Sequence, residues 1–446
     1  MFKTAWFLIK FAAIIALGFW LIQLPGQTSL TVQGYTLTTA TGIMAVGGLV
    51  VLLIILTIAK MFFHLFSIPK HLRHRAKLAN HSKGEQALSR AFSALSAGDE
   101  KTADKETRRA GNLLGHNNGL VILSEAMTAR LSGNTSRAEQ KYKALLENKD
   151  TAFLGLRGML YLYEGSNEPD KMLTYARKAE QLYPKQGWIV KTLFDAETQT
   201  RHWHHAIPLL LRLEKLKIFD KDQVKHHHAA LLTAMADREE NEKISLLKQA
   251  IRVDDSFVPA IDRLLNIYIK QKSKDKAALS LFEKTWAKAS HPDLLKYWEM
   301  LMPEKYLTHA TKQMTWYEKL VALNPDSAEA NYAAAEKALS LELYNQARVY
   351  ARRAEKKDMG VNVYRLLAKL EELEFNNTET AKAWLEKAAL APAPKAWRCV
   401  ETGRVYDYWS PLAAPHNSFN TIQWTDSITP ISSEKHKNTS LLIEAA

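Results

Sequence analysis

The chain has 446 residues, a formal net charge of +13 and one cysteine, Cys399. A single thiol excludes an intrachain disulfide framework and any all-cysteine zinc site. The positive balance points to anionic lipid or acidic protein partners, and no recognisable DNA- or RNA-binding module accompanies it, so no nucleic acid is expected.

Ala5 to Leu24 is an apolar run broken by one charge, Lys10. At about 1.5 Å per residue it just crosses a ~30 Å hydrocarbon core. Thr41 to Phe66 carries no charge before Lys60 and reads as a second, stronger span. A cleaved signal peptide is the competing reading of the first run, but the run is too long and no small-residue cleavage site follows. Residues 1–66 are therefore expected to form a two-span anchor. The loop between the spans has no Lys or Arg, whereas Lys70, Arg73, Arg75, Lys77 and Lys83 follow the second. The positive-inside rule then places both termini in the cytosol and the loop outside. Leu30, Val32 and Leu37 alternate with polar residues around Gly34, as in a small hairpin. Lys70, Arg73, Arg75 and Lys77 are candidates for an anionic-lipid contact at ~1 kcal/mol each. A solvated start to the first soluble helix accounts for them equally well.

From Ser82 to Pro392 apolar residues recur at helical spacing, with almost no strand signal. The positions Ala138, Met172 and Ala206 share a 34-residue beat with Leu145, Ala179 and Leu213. It returns at Gln313, Ala347 and Ala381 and at Leu320, Ala354 and Ala388. Pro184 and Pro325 stand where a helix must end. A period of that length in paired helices is the tetratricopeptide signature. The expected fold is all-α: two transmembrane helices, a tetratricopeptide-like α-solenoid and a small β-like C-terminal cap. Two stacks are expected, over 67–219 and 220–392, with roughly eight or nine hairpins. Strict phase is lost between Asp220 and Pro303. No Gly-rich phosphate cradle, paired carboxylates or Ser/His/Asp arrangement stands out, so no enzyme and no cofactor is expected.

Two histidine clusters interrupt the array, His202, His204 and His205, then His226, His227 and His228. Imidazole ligates haem and metals, which makes these six candidate haem contacts. Successive residues on a helix point apart, so a solvent-facing basic rim is the simpler reading. Trp203, between them, is expected to pack as core. Residues 393–424 have the outline of a small metal ribbon, with strand-like stretches between aromatics, and 425–446 read as a disordered tail.

Several stretches resemble the HemY family of bacterial inner-membrane proteins. Leu154–Asn167 looks like that family's repeat opening. Trp286, His291, Pro292 and Asp293 look like its Trp-x-x-x-x-His-Pro-Asp-Leu element. The tail from Ala396 to Trp424 is similar to its closing segment. Related anchored repeat proteins can end in a rubredoxin-like ribbon with four cysteines, and here the corresponding positions read Cys399, Thr402, Ala413 and His416. One thiolate and one imidazole do not close a tetrahedral site. The segment is thus expected to be a metal-free cap in which Trp397, Trp409, Phe419 and Trp424 seal the last hairpin. The resemblance implies a scaffold at the inner membrane that contacts its lipids and supports a late step of protohaem synthesis. Haem-synthesis proteins such as ferrochelatase are the implied partners. A haem or porphyrin carrier and an envelope-assembly adaptor are the alternatives. The flavin-dependent oxidase that shares the name is excluded, because no Gly-x-Gly-x-x-Gly follows an N-terminal strand. Tyr161 and Tyr163 are the groove-contact candidates, with packing core as the other reading.

Overall fold

In a computed structural model, residues 2–23, 25–32, 35–164, 168–357 and 360–426 are described. Backbone packing divides the chain into Met1–Ser124 and Glu125–Ala446.

The first unit opens with helix α1 (Phe2–Ile22) and the antiparallel pair β1 (Gln27–Val32) and β2 (Tyr35–Ala40). The hairpin read from the alternation is present, with Leu30 opposite Leu37 and Val32 opposite Tyr35. Helix α2 (Thr41–Ala97) then runs unbroken for 57 residues, roughly 85 Å. The anchor and the first soluble helix, expected as separate elements, are one rod. Gly98 in the left-handed conformation ends it, and Asp99 caps α3 (Glu100–Leu114) by accepting from the Thr102 amide. Ala87 and Leu88 at the close of α2, Ala110 of α3 and Val121 of the following helix form one buried cluster, flanked by Phe92 and Leu114.

Among the described residues one helix is long and apolar enough to cross a bilayer, through Thr41–Phe62, which is almost wholly exposed. Within α1 the apolar stretch among the described residues is Phe11–Ile22. The end of α1 meets the start of α2: a Cβ at Gly42 would lie 2.6 Å from the Leu21 carbonyl oxygen. The two helices therefore touch where the hairpin joins them.

Helix α4 (Gly119–Leu131) crosses the unit boundary, and the second unit continues with α5 (Thr135–Leu145), α6 (Ala152–Tyr163), α7 (Pro169–Leu182), α8 (Gly187–Gln199) and α9 (Trp203–Lys215). Next come α10 (Lys221–Ala236), α11 (Lys243–Val253), α12 (Val258–Lys270), α13 (Asp275–Trp286), α14 (Pro292–Met300) and the single turn α15 (Glu304–Leu307). The array closes with α16 (Ala310–Leu323), α17 (Ala328–Ser340), α18 (Tyr344–Glu355), α19 (Gly360–Phe375) and α20 (Thr378–Leu390). The opening helices of successive pairs begin at residues 119, 152, 187, 221, 258, 292, 328 and 360. The beat therefore persists through 220–303, where the sequence pattern loses phase.

The periodic positions are buried. Ala138, Ala206, Leu213, Ala347, Leu320 and Ala354 are within 1% of complete burial. Gln313 is the exception and stays half-buried. Side-chain caps start several helices: Asn134 for α5, Ser327 for α17, Asn377 for α20, and a reciprocal Asp220–Gln223 box for α10. Close helix approach is set by glycine at one crossing. A Cβ on Gly158 of α6 would sit 2.1 Å from the Tyr142 ring of α5. The joined core includes a stack of Trp298 on Trp316 at 4.3 Å, with the Trp316 indole donating to the Trp298 carbonyl.

After α20 the chain forms five short strands: β3 (Ala396–Cys399), β4 (Val405–Tyr406), β5 (Leu412–Ala413), β6 (Ser418–Phe419) and β7 (Ile422–Thr425). β3 lies between β4 and β7 in an antiparallel sheet, and β5 pairs with β6. The stretch expected as a tail lies outside the described residues from 427 onward.

Candidate functional site

The cap keeps the turns of a metal ribbon. Gly403 follows Thr402 and Asn417 follows His416, and both have positive φ, at 70° and 52°. Each bends the chain as the residue after a second knuckle ligand would. The ligand positions carry other chemistry. Cys399 is buried and its sulfur lies 3.5 Å from the Thr421 hydroxyl. Burial pushes this thiol up, but hydrogen bonds with Thr402 and Thr421 more than offset it, and its pKa is lowered overall. Ala413 is buried, and His416 is exposed. Among the described residues no three His, Cys, Asp or Glu side chains converge as a metal site.

The cap does not seal the last hairpin as expected. It lies against helices in the middle of the second unit. Phe419 of β6 is within 6 Å of the rings of Phe194 on α8, Trp203 on α9 and His227 on α10. Trp409 meets Phe257, at the entry to α12, edge-to-face at 5.3 Å, with the Arg263 guanidinium 5.3 Å from its ring centre. Its indole donates to Asn420 at 3.1 Å, and the Asn420 amide donates to Nδ1 of His227 at 3.2 Å. The Trp397 indole donates to Oδ2 of Asp293 at 2.8 Å. The ring of Trp424 lies 4.4 Å from that of His291. The cause is burial: five cap aromatic and amide groups find partners across this seam, where each satisfied polar group avoids a desolvation cost.

His291 is the pivot. Its ring caps α14 by accepting from the Asp293 amide at 3.2 Å, and Pro292 supplies the pre-set first helical residue. With Nδ1 accepting, Nε2 carries the proton of the neutral ring. That Nε2 is buried and has no partner among the described residues. Burial lowers the His291 pKa to about 4, although Asp293 and Asp262 pull it upward. Burial likewise lowers His227 to about 4, reinforced by His226 and Lys191. Between cap and helices lies a cavity of about 330 Å³, lined by Trp397, Trp409, Trp424, Phe257, His226 and His291 among others.

The remaining candidates disperse. Tyr163 is core, stacked on Tyr175 at 5.9 Å, so it is no groove contact. Burial and Glu139 push its hydroxyl up to about 12. Tyr161 is half-buried beneath the Arg130 guanidinium at 4.2 Å. His202 and His205 approach buried Glu197 at 3.3 and 3.7 Å, beside the bidentate Arg177. His204 pairs with Glu239 at 2.8 Å, and His226 with Asp254 at 3.1 Å. His228 is half-buried, and burial lowers its pKa. The six histidines thus form no single cluster, and His227 sits in the seam rather than on a rim. Trp203 is buried as expected. Lys70, Arg73, Arg75 and Lys77 are on α2, with side chains outside the described residues.

Sequence reasoning singled out His291, Pro292, Asp293 and the cap tryptophans separately. Their meeting, 104 residues apart, carries no local signal.

Residues 26–133 match the family model described as the HemY protein N-terminus. No curated protein matches the sequence. Among solved structures, the chain is similar to Naa15/Naa10 bound to HypK-THB, with 15% identity and a TM-score of 0.46 over 71% of this chain and 50% of that one. It therefore spans half the length of that relative. It is also similar to a tetratricopeptide repeat protein from Parabacteroides merdae, with 13% identity and a TM-score of 0.31 over 69% of this chain and 99% of that one. The human IFIT1 dimer with m7Gppp-AAAA gives 13% identity and a TM-score of 0.27 over 70% and 77%. The chain is a helical repeat protein with one candidate membrane helix among the described residues, and its N-terminal region is similar to the N-terminus of HemY proteins.

Proposed function

We propose that this protein is a membrane-anchored scaffold that recruits proteins of late protohaem synthesis, ferrochelatase among them, to the inner membrane, and that it has no catalytic role of its own. The observation that carries the reading is the continuity of α2. One rod joins the apolar stretch Thr41–Phe62 to the first helix pair, inside the region that matches the family. An anchor built this way holds its adjoining repeats near the bilayer, which raises the local concentration of whatever they recruit. In this reading α1 is a second, shorter span, assisted by its contact with α2 and by snorkelling of Lys10. Both termini are cytosolic, because the lysines and arginines follow the apolar stretch of α2.

Crosslinking and affinity capture from native membranes test it. Recovery of ferrochelatase or a neighbouring haem enzyme is expected. Recovery of envelope-assembly proteins instead would replace it.

A further inference from the structure

Among the described residues β7 is an edge strand, paired with β3 alone. The Cys399 amide donates to Arg404 on the β4 side, at 2.9 Å. Cys399 and its partner Ile422 are therefore a non-hydrogen-bonded pair, and the N–H and C=O of Ile422 point away from β3. Alternation gives Trp424 the same orientation. No backbone hydrogen bond reaches that outer edge among the described residues. The aromatic cavity runs along it, since the consecutive residues Ile422, Gln423 and Trp424 all line the space although alternate side chains on a strand face opposite ways. Ser256 to Pro259 also line it, as does His291, whose buried Nε2–H has no partner among the described residues.

We propose that this cleft binds an extended peptide segment of a partner protein, whose backbone adds to the free edge of β7 and whose proline or aromatic side chain enters the cavity among Trp397, Trp409, Trp424 and Phe257. Strand addition satisfies the Ile422 and Trp424 backbone groups in a row, which no small ring could do. A carbonyl of the segment accepts from Nε2 of His291. The inserted side chain is neutral. No Asp, Glu, Lys or Arg lines the cavity, so a charged group there would be desolvated among the aromatic rings without a counter-ion. The volume, about 330 Å³, suits one such side chain rather than a macrocycle. This deepens the recruitment reading above and rests on it only for the existence of a protein partner.

The test is selection of a random peptide library displayed on phage against the full-length chain in detergent micelles. Enriched sequences should share one proline or aromatic position, and Trp424→Ala and His291→Phe should each weaken the selected peptide about tenfold or more. The Ile422 and Trp424 amides should gain protection from hydrogen exchange in the complex. Methylating the peptide's backbone nitrogens at alternate residues leaves the protein untouched, so it avoids any folding defect. One set of alternate positions should abolish binding and the other should not. Enrichment without a shared ring residue, unchanged exchange at Ile422 and Trp424, or equal tolerance of both methylated sets would overturn the proposal. Should partner capture from membranes survive Trp424→Ala undiminished, the cleft is not the recruitment site and only the broader scaffold reading stands.

Discussion

Phe419 shows what one side chain contributes to the seam. Its ring touches aromatics from three helices, so truncation leaves a hole that none of them can fill alone. Phe419→Ala should destabilise cap docking by ~3–5 kcal/mol, read as faster hydrogen exchange throughout β3 and β7. Two histidines add a pH dependence. His227 accepts from the Asn420 amide and His291 from the Asp293 amide, so protonating either Nδ1 sets a donor against a donor. Facing groups reinforce this at His227, where His226 and Lys191 act against a charged ring, and oppose it at His291, where Asp293 and Asp262 favour the charged ring. Both folded pKa values, about 4, lie below the ordinary histidine value of 6.5. The unfolded chain thus binds more protons between those limits. Stability from these groups is complete above 6.5, declines as pH falls toward 4, and is flat below. Urea midpoints measured across that window should fall with acidification, and the fall should shrink in His227→Gln. An unchanged slope in that variant would place His227 outside the seam.

Among elements, the α5–α6 crossing is the tightest described. Gly158→Ala drives a methyl into the Tyr142 ring, and overpacking of this kind costs ~1–3 kcal/mol; thermal unfolding should register it, with Gly158→Ala, Tyr142→Ala recovering part of the loss. Elements of this sort were legible in the sequence because their physics is local. The 34-residue beat marks small residues where helices meet, and most of those positions are buried. The β1–β2 hairpin followed from simple alternation. Of the two spans expected, the stronger one is found at Thr41–Phe62 among the described residues. The cap's position was not legible. Trp397, Trp409, Phe419 and Trp424 announce burial, but which face receives them depends on where α8, α10, α12 and α14 present theirs, and no period or motif encodes that. Ending the chain before Trp397 should therefore quicken exchange around Ile189–Phe194, Val224–His228 and Leu294–Trp298, while α19 and α20 change least. Acceleration confined to α20 would restore the view that the cap seals the last hairpin.

At the scale of the molecule, the parts have separate tasks. α2 carries an apolar stretch into the first helix pair, the second unit supplies stacked helices, and the cap bridges elements far apart in sequence within that unit. The cap also makes stability in the second unit less local than a plain repeat array, where each hairpin contacts only its neighbours. The basic excess, with cations on α2 after its apolar stretch, suits a surface held close to anionic headgroups. Anchoring is what makes such a chain a scaffold rather than a soluble binder, and this is the claim most open to direct test. A deletion strain should accumulate porphyrin or lose haem-dependent respiration, and it should be rescued at native expression by the full chain but not by a chain beginning at Ser82. Full rescue by the chain beginning at Ser82 would contradict the account.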